Sequence, residues 1–157
     1  MFKFLKKDSG DDGMLYAIAE GKAIKIEEVN DQMFAEKMLG DGVAFQFDGD
    51  TVYAPADCTV VMIAATKHAI GVQTKSAEIL IHIGLDTVKF DGKGFDVLVS
   101  EGEKVKRGQA LIKLDRDFFN AEGIDMTTPM IITATEKSIK HGNVGDVTLE
   151  SVSLTIE

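Results

Sequence analysis

Short apolar runs recur along the chain from Met14 onward, and glycine or aspartate separates one run from the next. Runs of this length, bounded by turn-forming residues, are typical of β-strands rather than helices. The pattern therefore predicts an all-β fold, an antiparallel β-sandwich or barrel, rather than alternating strands and helices. The predicted strands are 15–19, 23–26, 43–47, 52–54, 59–64, 69–74, 78–83, 95–99, 110–114, 130–134 and 152–156.

Turn signals between neighbouring runs predict which strands form hairpins. Glu20-Gly21 follows the first run and Asp48-Gly49-Asp50 follows the third, and residues of these types favour tight turns. We therefore expect the first strand to pair with the second, the third with the fourth and, across the turn at 73–77, the sixth with the seventh. A few short helical turns are predicted at 31–39, with Asn30 or Asp31 as the N-cap, at 116–122 and at 135–139.

Internal similarity indicates that part of the fold is duplicated. Residues 15–24 resemble residues 52–61, and both read as a strand, an acidic turn and a second strand. A weaker similarity links residues 108–114 to residues 150–156, where apolar residues alternate in each segment. Residues 100–109 resemble the glycine turns of biotinyl and lipoyl carriers, although the lysine that carries their cofactor is missing. These features predict that a hairpin is duplicated within a small sandwich or barrel; the alternative is a chance match between common strand patterns.

Composition narrows the possible functions. The net charge is 17 − 26 = −9 without a basic stripe, which argues against binding of nucleic acid and suits either solubility or the steering of a basic partner. Cys58 is the only cysteine, so no intrachain disulfide can form, and this favours a reducing compartment such as the cytoplasm. We expect a single domain at 14–157, preceded by a flexible tail at 1–13. Phe2, Phe4 and Leu5 alternate with lysines there and could contact an anionic membrane surface weakly.

Two of the three histidines lie in or directly beside predicted strands, at positions where valine or isoleucine would be usual. The hairpin at 69–83 is expected to bring His68 and His82 side by side, whereas His141 is expected to be solvated in a polar loop. A histidine nucleophile must be neutral, with one ring nitrogen free and the other held. We expect the carbonyl of Gly84, or one nearby, to accept a hydrogen bond from Nδ1–H of His82, and Ile81 and Ile83 to keep the ring dry. The alternative is that both histidines are satisfied structural residues.

Three further side chains could have either a chemical or a structural role. The hydroxyl of Thr66 can bind an imidazole or a phosphoryl oxygen, or the residue is there for its strand propensity. Asp86 could attract a cationic partner, tune His82 by its charge, or cap the next turn. Cys58 has no nearby base in the sequence and is expected to be an unreactive structural residue.

Several stretches resemble one known family. The sequences TKHAIG at 66–71 and LIHIGLDTV at 80–88 resemble the two histidine motifs of the glucose-type IIA components of the bacterial phosphoenolpyruvate:sugar phosphotransferase system. Residues 34–42, 54–57 and 92–95 resemble other motifs of these proteins, and the likeness extends from Leu15 to the end of the chain. Departures are Ile70, where phenylalanine is common, small residues at 64–65, and Cys58 in place of a turn glycine.

The resemblance implies an antiparallel β-sandwich with a duplicated barrel-sandwich hybrid motif, and a function as a phosphocarrier. His82 would accept a phosphoryl group from phosphorylated HPr, forming tele-phosphohistidine, and pass it to a cysteine of the IIB domain of a IIBC sugar permease. His68 would stabilise the phosphoryl group, with Thr66 and Asp86 in support, and transfer would need neither cofactor nor metal. The protein would act in the cytoplasm, docking at the inner face of the membrane. Where the chain starts and stops favours a free-standing component, although a piece of a fusion protein would read the same.

Two alternatives remain open beside the phosphocarrier. The same face could form a regulatory module that binds permeases or kinases and is switched by phosphorylation, or whose two histidines share a zinc ion with a partner's carboxylate. A zinc peptidase would need a His-x-His pair, and Gly84 stands at the required second position. For the phosphocarrier and for the regulatory module, partner proteins must reach both rings across an apolar rim, which should tolerate several partners. The candidates for this partner face are Met33, Phe34, Met38, Leu39 and Ile83.

Overall fold

The computed structural model describes residues 12–157 and confirms an all-β fold with few, short helices. The membrane contact expected of Phe2, Phe4 and Leu5 lies outside the described residues. Gly13 was expected in the tail, but its carbonyl accepts a hydrogen bond from the Ile156 amide, so the fold includes it. The strands are Met14–Tyr16 (β1), Gly21–Lys25 (β2), Asp41–Gln46 (β3), Thr51–Tyr53 (β4), Cys58–Ile63 (β5), Ala69–Gln73 (β6), Glu78–His82 (β7), Phe95–Val97 (β8), Lys104–Val105 (β9), Ala110–Leu114 (β10), Thr128–Ala134 (β11), Ile139–His141 (β12), Gly145–Val147 (β13) and Val152–Ile156 (β14).

Among residues 12–157, helical structure is confined to short connections. The α-helices are Gln32–Ala35 (α1) and Arg116–Ala121 (α2), and two 3-10 turns span Ile26–Glu28 and Val88–Phe90. Asp31 is the N-cap of α1, since its carboxylate accepts a hydrogen bond from the Met33 amide. The cap is therefore one of the two residues that the sequence indicated.

Within residues 12–157 the strands form one sheet of eight and two sheets of three, with every pair antiparallel. The large sheet has the order β9-β5-β6-β7-β11-β3-β2-β13, and the small sheets have the orders β4-β10-β8 and β12-β14-β1. The large sheet is symmetric about the pair β7–β11, and the two small sheets are equivalent to each other. Each half of the fold thus supplies four strands to the large sheet and one complete small sheet.

Hydrogen bonds between the halves confirm the predicted duplication. The amide of Tyr16 donates to the carbonyl of Pro55 at 2.8 Å, and the amide of Tyr53 donates to the carbonyl of Ile18 at 2.9 Å. Both steps, 53 − 16 and 55 − 18, equal 37, which is the offset between the similar segments 15–24 and 52–61. The two segments therefore exchange the same hydrogen bond across an approximate two-fold axis.

Several predicted pairings and elements are wrong. The first two strands do not pair with each other, because β1 pairs with β14 and β2 pairs with β3 and β13. The third and fourth strands do not form a hairpin, because β3 pairs with β11 and β4 with β10. Residues 135–139 form a turn that leads into β12 rather than a helix. The short strands β9, β12 and β13 were not predicted.

Two apolar clusters lie on opposite faces of the large sheet near β7. The main core takes Ile79, Ile81 and Ile83 from this strand and its exit. Side chains alternate along a strand, so Leu80 and His82 point to the other face. There Leu80 packs against the second cluster, which the 26–40 connection covers. The members of the second cluster are Ile24, Ile26, Val29, Phe34, Ala44, Leu85 and Ile131.

Candidate functional site

The hairpin β6–β7 brings the two strand histidines together. His82 ends β7 and lies opposite Ala69, so His68, one residue before β6, falls beside it at the end of the hairpin away from the turn. The ring centroids of His68 and His82 are 4.9 Å apart, with an angle of 76° between the ring planes. The predicted juxtaposition is therefore confirmed, and both side chains are only partly buried.

The ring of His82 is held through its Nδ1 atom. This atom lies 2.9 Å from the carbonyl oxygen of Gly84, the acceptor expected from the sequence, so Nδ1–H donates and Nε2 keeps its lone pair. Gly84 has φ +78, and a Cβ there would meet Met126 Sδ and Thr87 Cγ2 at 2.7 Å. A glycine is therefore needed for the backbone to turn its carbonyl towards the ring.

Burial lowers the pKa of His82 below its ordinary value, so the neutral form dominates near pH 7. Among smaller effects, His68 lowers this pKa as well, whereas the hydrogen bond to Gly84 and the Asp31 carboxylate raise it. The prediction that Ile81 and Ile83 shield the His82 ring from water is wrong, because both belong to the main core on the opposite face of the sheet. The ring of Phe34 packs edge-on against that of His82, with centroids 5.0 Å apart, and supplies apolar cover.

His68 is held by a different group on its Nδ1 atom. The hydroxyl of Thr66 lies 2.6 Å from this nitrogen, as the sequence allowed. Either the hydroxyl donates to an unprotonated Nδ1, or Nδ1–H donates to the hydroxyl oxygen. In the first case the ring proton sits on Nε2, and His68 becomes a hydrogen-bond donor at its free end. Burial lowers the pKa of His68 too, which favours the neutral ring.

The acidic residues near His82 differ from the expectation. Asp86 is exposed and pairs with Lys89, with Oδ2 and Nζ 3.2 Å apart. The carboxylate that acts on the His82 pKa is that of Asp31, the α1 cap, and Asp86 does not contribute to that shift. From the sequence, Asp31 was predicted only as a candidate N-cap. No local pattern shows that α1 folds over a hairpin that lies much further along the chain.

The expected partner face is only partly at the surface. Met33, Met38 and Leu39 are exposed, at 48 %, 68 % and 38 % of their accessible areas. Phe34 and Ile83 are buried, at 3 % and 0 %, so neither can form an exposed rim. Phe34 instead lies beneath the surface against His82, and Ile83 alternates into the main core.

Other expectations about the site can be compared with the structure. Ile70 is fully buried in the main core, so its difference from phenylalanine does not thin the surface rim. Val88 is exposed close after Asp86, and the sequence analysis did not single it out. His141 lies on β12 rather than in a loop, with its Nε2 atom 2.8 Å from Asp41 Oδ2.

The remaining chemistry of the described chain is limited. Cys58 is buried, and burial raises the pKa of its thiol to about 12, which fits an unreactive residue. Within residues 12–157, no group of three or more histidine, cysteine, aspartate or glutamate side chains could hold a metal ion. No helix in that same stretch is both long enough and apolar enough to cross a membrane.

The sequence and the fold match known proteins. The family model described as "phosphoenolpyruvate-dependent sugar phosphotransferase system, EIIA 1" matches residues 13–138, and the chain belongs to this family. A solved structure of glucose permease IIA from Mycoplasma capricolum superposes with a TM-score of 0.84 at 36 % identity, covering 90 % of this chain and 93 % of that one.

Curated relatives are longer proteins. The chain is 43 % identical over 137 residues to the glucose-specific EIICBA component of the phosphotransferase system of Staphylococcus carnosus, and 42 % identical over 144 residues to that of Staphylococcus saprophyticus. The alignments cover 84 % and 90 % of this chain, but only 20 % and 21 % of the relatives. The chain thus spans about a fifth of their length and corresponds to a IIA portion.

Proposed function

We propose that the chain is a phosphocarrier: His82 accepts a phosphoryl group from phosphorylated HPr and passes it to a cysteine of the IIB domain of a sugar permease. The observation that carries this is the pair of histidine rings in edge-on contact, each held by a hydrogen bond at Nδ1, so that both rings can present Nε2. The longer relatives are named EIICBA components, which supports a IIB partner. Its place of action is then the cytoplasm, at the inner face of the membrane when docked on the permease.

The proposed transfer consists of two displacements at phosphorus, first from the donor imidazole to His82 and then from His82 to a thiolate. The lone pair on Nε2 of His82 attacks phosphorus, the phosphorus–nitrogen bond of the donor breaks, and the donor imidazole keeps the electron pair. In the second step a thiolate attacks phosphorus, a sulfur–phosphorus bond forms, the bond between phosphorus and Nε2 of His82 breaks, and His82 keeps the electron pair and becomes neutral again. Positioning and electrostatic stabilisation supply most of the catalysis in such reactions. Transfer by this route requires no metal or cofactor.

His68 and Thr66 have supporting roles in this proposal. If the Thr66 hydroxyl donates to Nδ1, the proton of His68 sits on Nε2 and can donate to a phosphoryl oxygen of phosphorylated His82. The centroid separation of 4.9 Å places the two rings close enough for a shared phosphoryl group. Asp86, paired with Lys89 at the surface, is left with a role in attracting a cationic partner rather than in tuning His82.

The test is incubation with phosphoenolpyruvate, Enzyme I and HPr, followed by mass spectrometry that maps the phosphate among the three histidines. His82→Ala should take up no phosphate, whereas His68→Ala should accept it but transfer it poorly to IIB. Thermal unfolding of each variant checks that the fold is retained. Phosphate on a folded His82→Ala protein, or on His68 or His141 of the wild type, would disprove the assignment.

A second function uses the same face as a regulatory module that binds permeases or kinases. The exposed Met33, Met38 and Leu39 favour it, because a flexible apolar surface can fit several partners. A phosphate adds about −1.5 to −2 charges and should repel any partner that binds this face in its bare form. A zinc ion at His68 and His82 would need the partner to provide further ligands. Equal capture of a partner by the phosphorylated and bare forms would count against this function.

A further inference from the structure

The end of helix α1 has a backbone conformation that usually requires glycine. The amide of Lys37 donates to the Phe34 carbonyl at 3.0 Å, and the amide of Met38 donates to the Met33 carbonyl at 3.1 Å. These two bonds define a Schellman cap, in which the residue at C′ is left-handed and is most often glycine. Here Lys37 occupies that position with φ +59, which is unfavourable for a residue with a Cβ.

Two carboxylates from neighbouring segments surround the Lys37 side chain. Its Nζ atom lies 3.3 Å from Glu27 Oε2 and 3.6 Å from Asp41 Oδ1. Glu27 belongs to the 3-10 turn before α1, and Asp41 begins β3 after it. Asp41 is itself fixed, because its Oδ1 accepts from the Gly42 amide. The lysine therefore ties both flanks of the α1 connection together, which a glycine at this position could not do.

The tie lies between the histidine site and the exposed part of the partner face. On the amino-terminal side of Lys37, Phe34 packs against the His82 ring. On the carboxy-terminal side, Met38 and Leu39 are exposed, and the Gly40 amide closes the turn by donating to the Lys37 carbonyl at 3.2 Å. A protein that delivers a phosphoryl group to Nε2 of His82 must cover the adjoining surface. Met38 and Leu39 follow Lys37 directly, so its left-handed backbone determines the direction in which the chain carries them.

We propose that Lys37 is a positioning residue for docking: its ion pairs with Glu27 and Asp41 hold Met38 and Leu39 in the orientation that receives the phosphoryl donor protein. This inference rests on the proposed function and names HPr as the occupant of the Met38–Leu39 surface. The connection that carries this surface contacts His82 through Phe34, and the acidic charge of the chain suits a basic partner. Lys37 itself takes no part in the chemistry at Nε2.

The test compares two phosphoryl donors on the full chain. Phosphorylated HPr must dock, whereas phosphoramidate is a small molecule that needs no protein surface. Lys37→Asn keeps a residue that tolerates the left-handed conformation but removes both ion pairs. Lys37→Arg retains the charge, and Lys106→Asn makes the same change at an exposed lysine near Asp57, on a different edge of the large sheet.

For Lys37→Asn we expect the KM for phosphorylated HPr to rise about fivefold while kcat changes less than about twofold, since exposed ion pairs contribute modestly. The rate with phosphoramidate should stay at the wild-type value. Lys37→Arg should restore the KM, and Lys106→Asn should not alter it. Amide hydrogen exchange at Met38 should speed up in Lys37→Asn alone, because the hydrogen bond from the Met38 amide to the Met33 carbonyl then opens more often.

The inference is overturned if Lys37→Asn has the wild-type KM, or if it loses the same factor with both donors. An equal rise in KM for Lys106→Asn would also overturn it, because general charge rather than the tie would be responsible. Failure of the proposed function looks different: the wild type itself would then take no phosphate from HPr, whether or not phosphoramidate labels it.

Discussion

Phe34 links the chemistry of His82 to the stability of the fold, and its removal gives a prediction with two independent readouts. The side chain is buried in the second apolar cluster and packs edge-on against the His82 ring. A buried phenylalanine removes about 150–250 Å² from water, worth about 4–6 kcal/mol at 25 cal/mol per Å². Since alanine keeps one methyl group and the site relaxes in part, we expect Phe34→Ala to lower the free energy of unfolding by about 3–5 kcal/mol.

The same substitution should change the pKa of His82. Burial lowers this pKa in the wild type, so admitting water should raise it towards the ordinary value of about 6.5. Because the folded pKa is depressed, the unfolded chain binds the proton first as the pH falls. The wild type therefore has its full stability above about pH 6.5 and loses part of it as the pH drops through the folded pKa. In Phe34→Ala this loss should shrink, so the two proteins should differ more at pH 7.5 than at pH 5.5.

The measurements are urea unfolding at both pH values and an NMR titration of the His82 ring. Phe119→Leu is the matched control, because Phe119 is fully buried in the main core and does not touch His82. It should cost stability without moving the His82 pKa. Phe34→Leu should give intermediate values for both quantities. If Phe34→Ala is destabilised yet titrates like the wild type, Phe34 is not what keeps the ring dry, and the explanation given for the depressed pKa is wrong.

Three further substitutions or treatments test other parts of the structure. Gly84→Ala puts a Cβ at φ +78 against Met126 Sδ, so it should cost about 1–2 kcal/mol in urea unfolding and slow phosphorylation of His82 by displacing its carbonyl partner; a wild-type rate would contradict this. The thiol of Cys58, with its pKa near 12, should resist Ellman's reagent at pH 8 until urea unfolds the chain, and rapid labelling of the folded protein would refute its burial. Burial raises the pKa of Asp41, but the hydrogen bond with His141, helped by the Gly42 amide, outweighs this and lowers it. Asp41→Asn should therefore be less stable than the wild type in urea unfolding above about pH 4, and the difference should disappear at lower pH. A difference that does not depend on pH would show that Asp41 is not ionised in the fold.

The part of the fold that the sequence predicted best is the part with local partners. In the hairpin of β6 and β7, a turn of a few residues joins two strands that pair with each other, so turn chemistry and alternation suffice. The other predicted hairpins failed because their strands pair with partners far along the chain, as β1 does with β14. A turn signal shows that the chain reverses direction, but it cannot show that a strand from the other half takes the neighbouring place.

The same limit applies to the site. The two histidines and the Gly84 carbonyl come from one hairpin and its exit, and all were predicted from the sequence. The carboxylate of Asp31 and the ring of Phe34 arrive from a separate connection. The effect of Asp31 on the His82 pKa was therefore not predicted, and Phe34 was expected as an exposed rim residue rather than as buried cover for the ring. The error about Ile81 and Ile83 is different, since strand alternation alone already places them opposite to His82. That correction was available from the sequence.

The differences between the two duplicated halves explain why the histidine site occurs only once among the described residues. Pairing in the large sheet makes β3 equivalent to β6 and β11 equivalent to β7, so Asp41 stands where the other half has His68, and Ile131 stands where it has His82. The connections that precede these strands also differ. Between β5 and β6 it has 69 − 63 − 1 = 5 residues, whereas between β2 and β3 it has 41 − 25 − 1 = 15.

The ten additional residues form α1 and its flanks, and they do two things at once. They cover Ile131, which then belongs to the second apolar cluster, and they reach across the two-fold axis to His82 with Phe34 and Asp31. The histidines thus come from one half of the fold, and their apolar cover and the exposed Met38 come from the other. A histidine pair grafted onto the second half would lack such cover, because only a five-residue connection faces it from the first half. The neutral, covered state of the His82 ring therefore depends on the asymmetry between the halves as much as on the histidine motifs themselves.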